Sequence, residues 1–201
     1  MQPVEVFQRF VPEKAVDYCV HLYQILNFDF KIKKARRTKF GDYRLDRQTG
    51  HQTITINNDL NPYAFLITYL HEVAHLQTFQ AYGNNIAPHG VEWKNEFKTV
   101  SAPMIRQTVF PEEIKSRVIT YLSNPKASSC SDPILYELLK RYDPKSDKVF
   151  LKSLQVGEKF SFNDKEYIYL ERKRTRMVCK QTTTNRKYLI NQLAEVIPIV
   201  R

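Results

Sequence analysis

The stretch His-Glu-Val-Ala-His, residues 71–75, sets two imidazoles four positions apart with a carboxylate beside the first. On a helix, residues four apart differ by about 40° around the axis and about 6 Å along it. His71 and His75 therefore point the same way and can share one zinc ion through ring nitrogens at about 2.0–2.1 Å. Glu72 lies about 100° further round the helix. It is badly placed to be a ligand with them and well placed to reach a water on the metal. Zinc lowers the pKa of such a water towards about 7, and a neighbouring carboxylate can take its proton and pass it to a leaving amine.

A catalytic zinc needs a third protein ligand and one open position. In the elongated pattern H-E-x-x-H-x-x-G-x-x-H that ligand stands six residues after the second histidine. Here that residue is Ala81, which excludes the pattern. His89 is the preferred candidate, because "YGNNIAPHG" carries Gly83, Asn84, Asn85, Pro88 and Gly90, residues that let a chain leave one helix and turn back. Glu92 and Glu96 are its rivals, since zinc proteases of another class take a glutamate from a following helix. The competing explanation is an ordinary amphipathic helix that happens to contain histidines. It must place Glu72 and two imidazoles in the most apolar helix of the chain, where unpaired polar groups are costly. A chance H-E-x-x-H is also expected in well under about one in a hundred chains of this length.

The element that carries the motif reads as one long helix, "NPYAFLITYLHEVAHLQTFQAYG". Asn61 suits its N-cap, Pro62 its first turn and Gly83 its stop. Upstream, "VPEKAVDYCVHLYQIL" repeats apolar residues at helical spacing, with His21 off the stripe. "FDFKIKKARR", "GDYRLD" and "HQTITINN" read as three short strands, which suggests a small, largely antiparallel sheet, with His51 facing solvent. Downstream, "VEWKNEFKTVS", "PEEIKSRVITYLS" and "SDPILYELLKRY" read as helices. The texture changes at the polar stretch "DPKSDK". Beyond it, short β-branched and aromatic segments separated by turns read as an all-β module of five or six strands, the size of a small barrel.

The whole-chain totals bound the setting. The 201 residues are 42% hydrophobic, enough for a packed core and against wholesale disorder. No apolar run approaches a membrane span, and the charged N-terminus lacks the centre of a signal peptide, so a cytoplasmic protein without a membrane partner is expected. Cys19, Cys130 and Cys179 form no C-x-x-C pair, which removes a zinc ribbon and a thioredoxin-type site. Their odd number fits free thiols in a reducing compartment. The net charge of +10 favours anionic partners, chiefly nucleic acid.

The run "HEVAHLQTFQAYGNNIAPHGVEWKNEF" resembles the core of the SprT-like zinc metallopeptidases, in which H-E-x-x-H is followed, after a variable loop, by H-G-x-x-W opening a helix. His71, Glu72 and His75 match the first part; His89, Gly90, Glu92 and Trp93 match the second. "ARRTKFGDYR" and "TITIN" resemble the strand region before the metal helix, and the resemblance covers roughly residues 10 to 125. It implies an α+β, zincin-like peptidase domain over residues 1–143 with one Zn2+ held by His71, His75 and His89, and Glu72 as catalytic base. It also implies protein substrates associated with DNA. The chain departs from many relatives in lacking a C-terminal cysteine-rich ribbon. The basic β-module, residues 148–201, stands there instead.

That module holds twelve Lys and Arg against five Asp and Glu, so it carries most of the excess charge. "YIYLERKRTRMVCK" interleaves tyrosines with cations, a pattern that fits bases stacking on rings beside phosphate contacts. Arg172, Lys173, Arg174 and Arg176 are the candidate nucleic-acid contacts here. Lys31 and Lys33, on one face of the first strand, form a second set, with Lys34, Arg36 and Arg37 in the same run. A solvated strand face that protects sheet edges is the plainer explanation of both. Tyr63, Tyr69 and Tyr82 lie near enough in sequence to serve as oxyanion donors, and nothing selects among them. The rival to a peptidase is a nucleic-acid-binding or regulatory protein with a structural zinc.

Overall fold

The computed structural model describes residues 3–36, 38–126 and 132–199; Arg37, Cys130 and Arg201 lie outside the described residues. The chain divides into two compact units, Met1–Pro144 and Lys145–Arg201.

The first unit is built around one helix. Helices α1 (Pro3–Phe10) and α2 (Val16–Leu26) precede three strands, β1 (Asp29–Lys33), β2 (Gly41–Leu45) and β3 (Gln52–Asn57). Helix α3 (Pro62–Tyr82) follows, then α4 (Val91–Arg106), α5 (Glu112–Ser123) and α6 (Pro133–Lys140). Helix α1 extends the reading of the sequence: eight residues with Val6 and Phe7 buried make too short a period to stand out beside charged neighbours. Almost the whole circumference of α3 between Ala64 and Ala74 is buried, the mark of a helix enclosed by its domain. The aromatic rings of Phe7, Phe28, Phe30 and Tyr69 pack edge-on or stacked beside it. Offset and edge-to-face ring pairs add about 0.5–1.5 kcal/mol each beyond their buried area.

The sheet is mixed, where a largely antiparallel one was expected. Its order is β1-β3-β2, with β1 parallel to β3 and β2 antiparallel to it. The short Asp46–Gly50 turn joins β2 to β3 as a hairpin, and β1 lies on the far side of β3, which is the central strand. The connection from β1 must cross the end of β3, and a buried polar cluster ties it there. Arg36 Nε donates to Asn57 Oδ1 at 2.7 Å and its Nη1 to Thr55 Oγ1 at 3.0 Å, while Asn57 Nδ2 donates to Lys39 O at 2.9 Å. Arg36, grouped with surface cations in the sequence, is thus a structural residue. Helix α4 runs beyond Ser101 and through Pro103, because buried Val100, Ser101 and Met104 hold it against the core past the missing N–H.

The second unit is a six-stranded sheet with its own core. Its strands are β4 (Val149–Phe150), β5 (Lys159–Phe162), β6 (Lys165–Lys173), β7 (Arg176–Gln181), β8 (Lys187–Asn191) and β9 (Glu195–Pro198), in the order β4-β9-β5-β6-β7-β8. All its pairings are antiparallel, and among the described residues β4 and β8 do not pair to close it. Leu151, Phe160, Tyr167, Tyr169, Met177, Cys179, Ile190 and Val196 form the core. Among the described residues no helix is long and apolar enough to cross a membrane.

Candidate metal centre

Asn61 begins α3 as an N-cap. Its Oδ1 accepts from the N–H groups of Tyr63 and Ala64 at 3.1 and 3.0 Å, and its Nδ2 donates to Leu139 O at 2.8 Å and to Asp143 Oδ1 at 2.6 Å. The cap therefore anchors the helix to α6 as well as starting it. Ten and fourteen residues on, His71 and His75 project from the same side of α3. At its far end, Gly83 has φ 71°, a conformation that costs glycine nothing, and the chain leaves the helix. It returns through residues 84–88 to His89, whose own φ of 59° lies in the left-handed region. Gly90 then caps α4; a Cβ there would stand 2.9 Å from Ala87 O. This tight turn aims the third ring at the other two.

The three Nε2 atoms form a triangle with edges of 3.3 Å (His71–His75), 2.9 Å (His75–His89) and 3.4 Å (His71–His89). Tetrahedral nitrogens at about 2.0–2.1 Å from a zinc are about 3.3–3.4 Å apart, so two edges match such a site and the third is shorter. Hydrogen bonds alone do not satisfy this triangle. A neutral ring nitrogen is either donor or acceptor, so in any set of three at least one pair faces like with like. A shared cation satisfies all three lone pairs at once. Burial, and the two neighbouring rings, hold the His71 imidazole well below its ordinary value, and burial with His89 holds His75 down to about 3. Burial likewise lowers His89. All three rings are thus kept neutral, the form that binds metal. The donor set fits one zinc ion.

Trp93, on the first turns of α4, closes the site on the protein side. It is 1% exposed and its ring lies 4.7, 5.2 and 4.6 Å from those of His71, His75 and His89. Its Nε1 is buried with no hydrogen-bond partner among the described residues; stacking on Phe97 and His75 and edge contacts with His71 and His89 hold the ring. Glu92 and Glu96, the rival ligands, are not part of the cluster that the three histidines form among the described residues.

Glu72 is buried against β2. Its carboxylate accepts the N–H of Tyr43, and burial, with Asp42 nearby, pushes it up to about 8 against that bond and the pull of Arg36 and Lys39. Gly41 makes room for it, since a Cβ at that position would meet Glu72 Oε1 at 2.5 Å and Thr68 Cγ2 at 2.7 Å. Tyr43 also lays its ring parallel to that of His75, 6.5 Å between centroids, and donates its hydroxyl to Gln52 Oε1 at 2.9 Å. Gly41 and Tyr43 went unmarked in the sequence, thirty residues from the motif; only strand pairing brings them beside it.

The three tyrosines near the motif in sequence lie elsewhere. Tyr69 is fully buried and donates to Cys19 O, Tyr63 packs on Phe110 and Tyr142, and Tyr82 is exposed at the end of α3. His21 and His51 are exposed, and His51 Nε2 meets Asp29 Oδ2 at 2.9 Å.

The basic candidates fall in different units. Lys31 and Lys33 share the exposed face of β1, with Lys31 3.1 Å from Asp29. Arg172, Lys173, Arg174 and Arg176 gather at the β6–β7 turn, where Arg172 donates to Arg174 O and Gln192 Oε1. The expected alternation of tyrosines with cations on one surface is not present. Tyr167 and Tyr169 are 6% exposed and face the core with their cross-strand partners Gln181 and Cys179, while the bulge between Tyr169 and Glu171 turns Lys173 to the other face, opposite Arg176.

The family model described as SprT-like family matches residues 9–116, more than half of the chain and all of the histidine cluster with Glu72 and Trp93. No curated protein and no solved structure matches the chain.

Proposed function

Because the chain belongs to the SprT-like family, a zinc metallopeptidase-like family, we propose that it hydrolyses peptide bonds with one zinc ion held by His71, His75 and His89. The observation that carries this reading is the Nε2 triangle with a buried carboxylate on the adjacent residue of the same helix. A purely structural site has no need of an acid there. When bound, zinc supplies Lewis acidity, polarising a water and a peptide carbonyl. Glu72 takes the proton of the attacking water and returns it to the departing amine. Burial raises its carboxyl in the metal-free protein, and a cation held by the three imidazoles would favour the charged carboxylate, the form that accepts a proton. Tyr43 N–H and the surface of Gly41 fix its orientation.

Strand β2 supports a role in holding an extended substrate. It is an edge strand, and its register directs the backbone groups of Gly41, Tyr43 and Leu45 away from β3. Tyr43 N–H is occupied by Glu72; the others can pair with an added chain beside the site. For the substrate we propose proteins associated with DNA, a reading supported by the net charge of +10.

The test is incubation of zinc-loaded protein with a basic DNA-binding protein, with and without DNA, with a chelator control and with Glu72→Gln in parallel. Fragments that need both zinc and Glu72 and increase with DNA are expected. A tight DNA complex without fragments would replace the peptidase with a nucleic-acid-binding protein whose zinc is structural.

A further inference from the structure

The outward face of the second unit carries an arrangement that its fold does not require. Cross-strand register places Lys159, Ile168, Lys180 and Lys187 in one row across β5, β6, β7 and β8. A second row, Lys173, Arg176 and Asn191, crosses β6, β7 and β8. The alternating Met177, Cys179 and Gln181 are buried on the opposite face, so Arg176, Val178 and Lys180 point outward together. Two like-charged pairs thus stand directly opposite each other, Lys180 with Lys187 and Lys173 with Arg176. Such pairs destabilise a sheet. None of these five cations has an acidic partner among the described residues, although Glu166 and Glu171 share the face. Protection of an exposed edge does not explain them, because Lys173, Arg176 and Lys180 sit on interior strands β6 and β7.

We propose that this face binds the sugar-phosphate backbone of double-stranded nucleic acid, with the two like-charged pairs meeting phosphates of the two strands. Polyanion binding accounts for cations that repel one another in the free protein. The two pairs are four residues apart along β7, about 13 Å at about 3.3 Å per residue, close to the about 12 Å width of a major groove. Between them lie Val178 and Leu189, the latter 50% exposed, which offer apolar contact and no base-reading group. No aromatic ring points outward in these rows, so the face has no platform on which unpaired bases can stack. Binding is therefore to backbone, without sequence preference.

Full-length protein would be titrated into a labelled duplex of about 20 base pairs, two helical turns, and into a single strand of the same length, across a range of salt. The duplex should bind at least as tightly as the single strand, and scrambled duplexes equally. The double variant Lys180→Gln/Lys187→Gln should lose at least about tenfold in affinity near 0.1 M salt, with a salt slope smaller by about two. Its thermal stability should equal or exceed that of the parent, since a repulsive pair has gone. Lys31→Gln/Lys33→Gln, the same charge change on β1, should alter the slope less. Equal affinity and slope in the Lys180/Lys187 variant would overturn the proposal. So would binding confined to the single strand, or displacement of the duplex by polyglutamate at equal charge, which would assign the face to acidic proteins. Chelator-sensitive cleavage of an unstructured protein without DNA is untouched by any of these results, so the two readings fail separately.

Discussion

Gly41 and Glu72 touch so closely that a single methyl group on Gly41 would stand 2.5 Å from Glu72 Oε1. A strand and a helix thirty residues apart in sequence meet at this point, and the Glu72 carboxylate is seated by the absence of a side chain. The backbone of Gly41 is not in the left-handed region, so alanine brings no backbone strain there. Gly41→Ala should keep zinc and displace Glu72, lowering kcat by about 10²-fold, the effect of a misplacement of about 1 Å. Elemental analysis beside steady-state kinetics checks this; an unchanged kcat would remove Gly41 from the site's design.

Glu72→Gln keeps the shape of the side chain and removes its basicity. Zinc content should be unchanged and hydrolysis should fall by about 10²–10⁴-fold. Cleavage at the parental rate would show that another group takes the proton.

His89 reaches the cluster from a turn rather than from α3, so its removal leaves the two helical rings in place. His89→Ala should lower zinc content sharply, because three protein ligands become two. Full metal retention would shift the third position to Glu92 or Glu96.

The metal-free protein should be sensitive to mild acid. His71, His75 and His89 are all held below their ordinary values, His75 to about 3. The folded state thus favours the neutral rings, a contribution complete above about 6.5, the unfolded value, and lost as the pH falls towards about 3. The thermal midpoint should decline progressively below about pH 6.5, and a His71→Gln/His75→Gln variant should follow pH less steeply. Equal slopes would place the acid sensitivity elsewhere.

Asn61 serves two elements at once, capping α3 and bonding to α6 through Leu139 O and Asp143. Asn61→Ala should cost about 0.5–2 kcal/mol, the loss of an N-cap, since Leu139 O keeps the N–H of Tyr142. Denaturant unfolding reads this, with loss of zinc affinity as the accompanying change. A cost below about 0.5 kcal/mol would mean that water replaces the side chain.

What the linear chain determined is what local spacing can carry. The 3.6-residue period puts His71 and His75 on one side of a helix, Asn61 and Gly83 bound that helix, and the Pro88-His89-Gly90 turn sends the chain back towards it. Alternating short strands after "DPKSDK" announce an all-β segment for the same reason. Tertiary structure alone decided the parallel partner of β1, the role of Arg36 in tying its crossover, and the meeting of Gly41 and Tyr43 with Glu72. It also sent Tyr167 and Tyr169 into a core and left Lys180 opposite Lys187 on the other side. Those outcomes depend on which strand pairs with which and in what register. A shift of one residue exchanges the two faces of a strand, and no short stretch of residues encodes its distant partner.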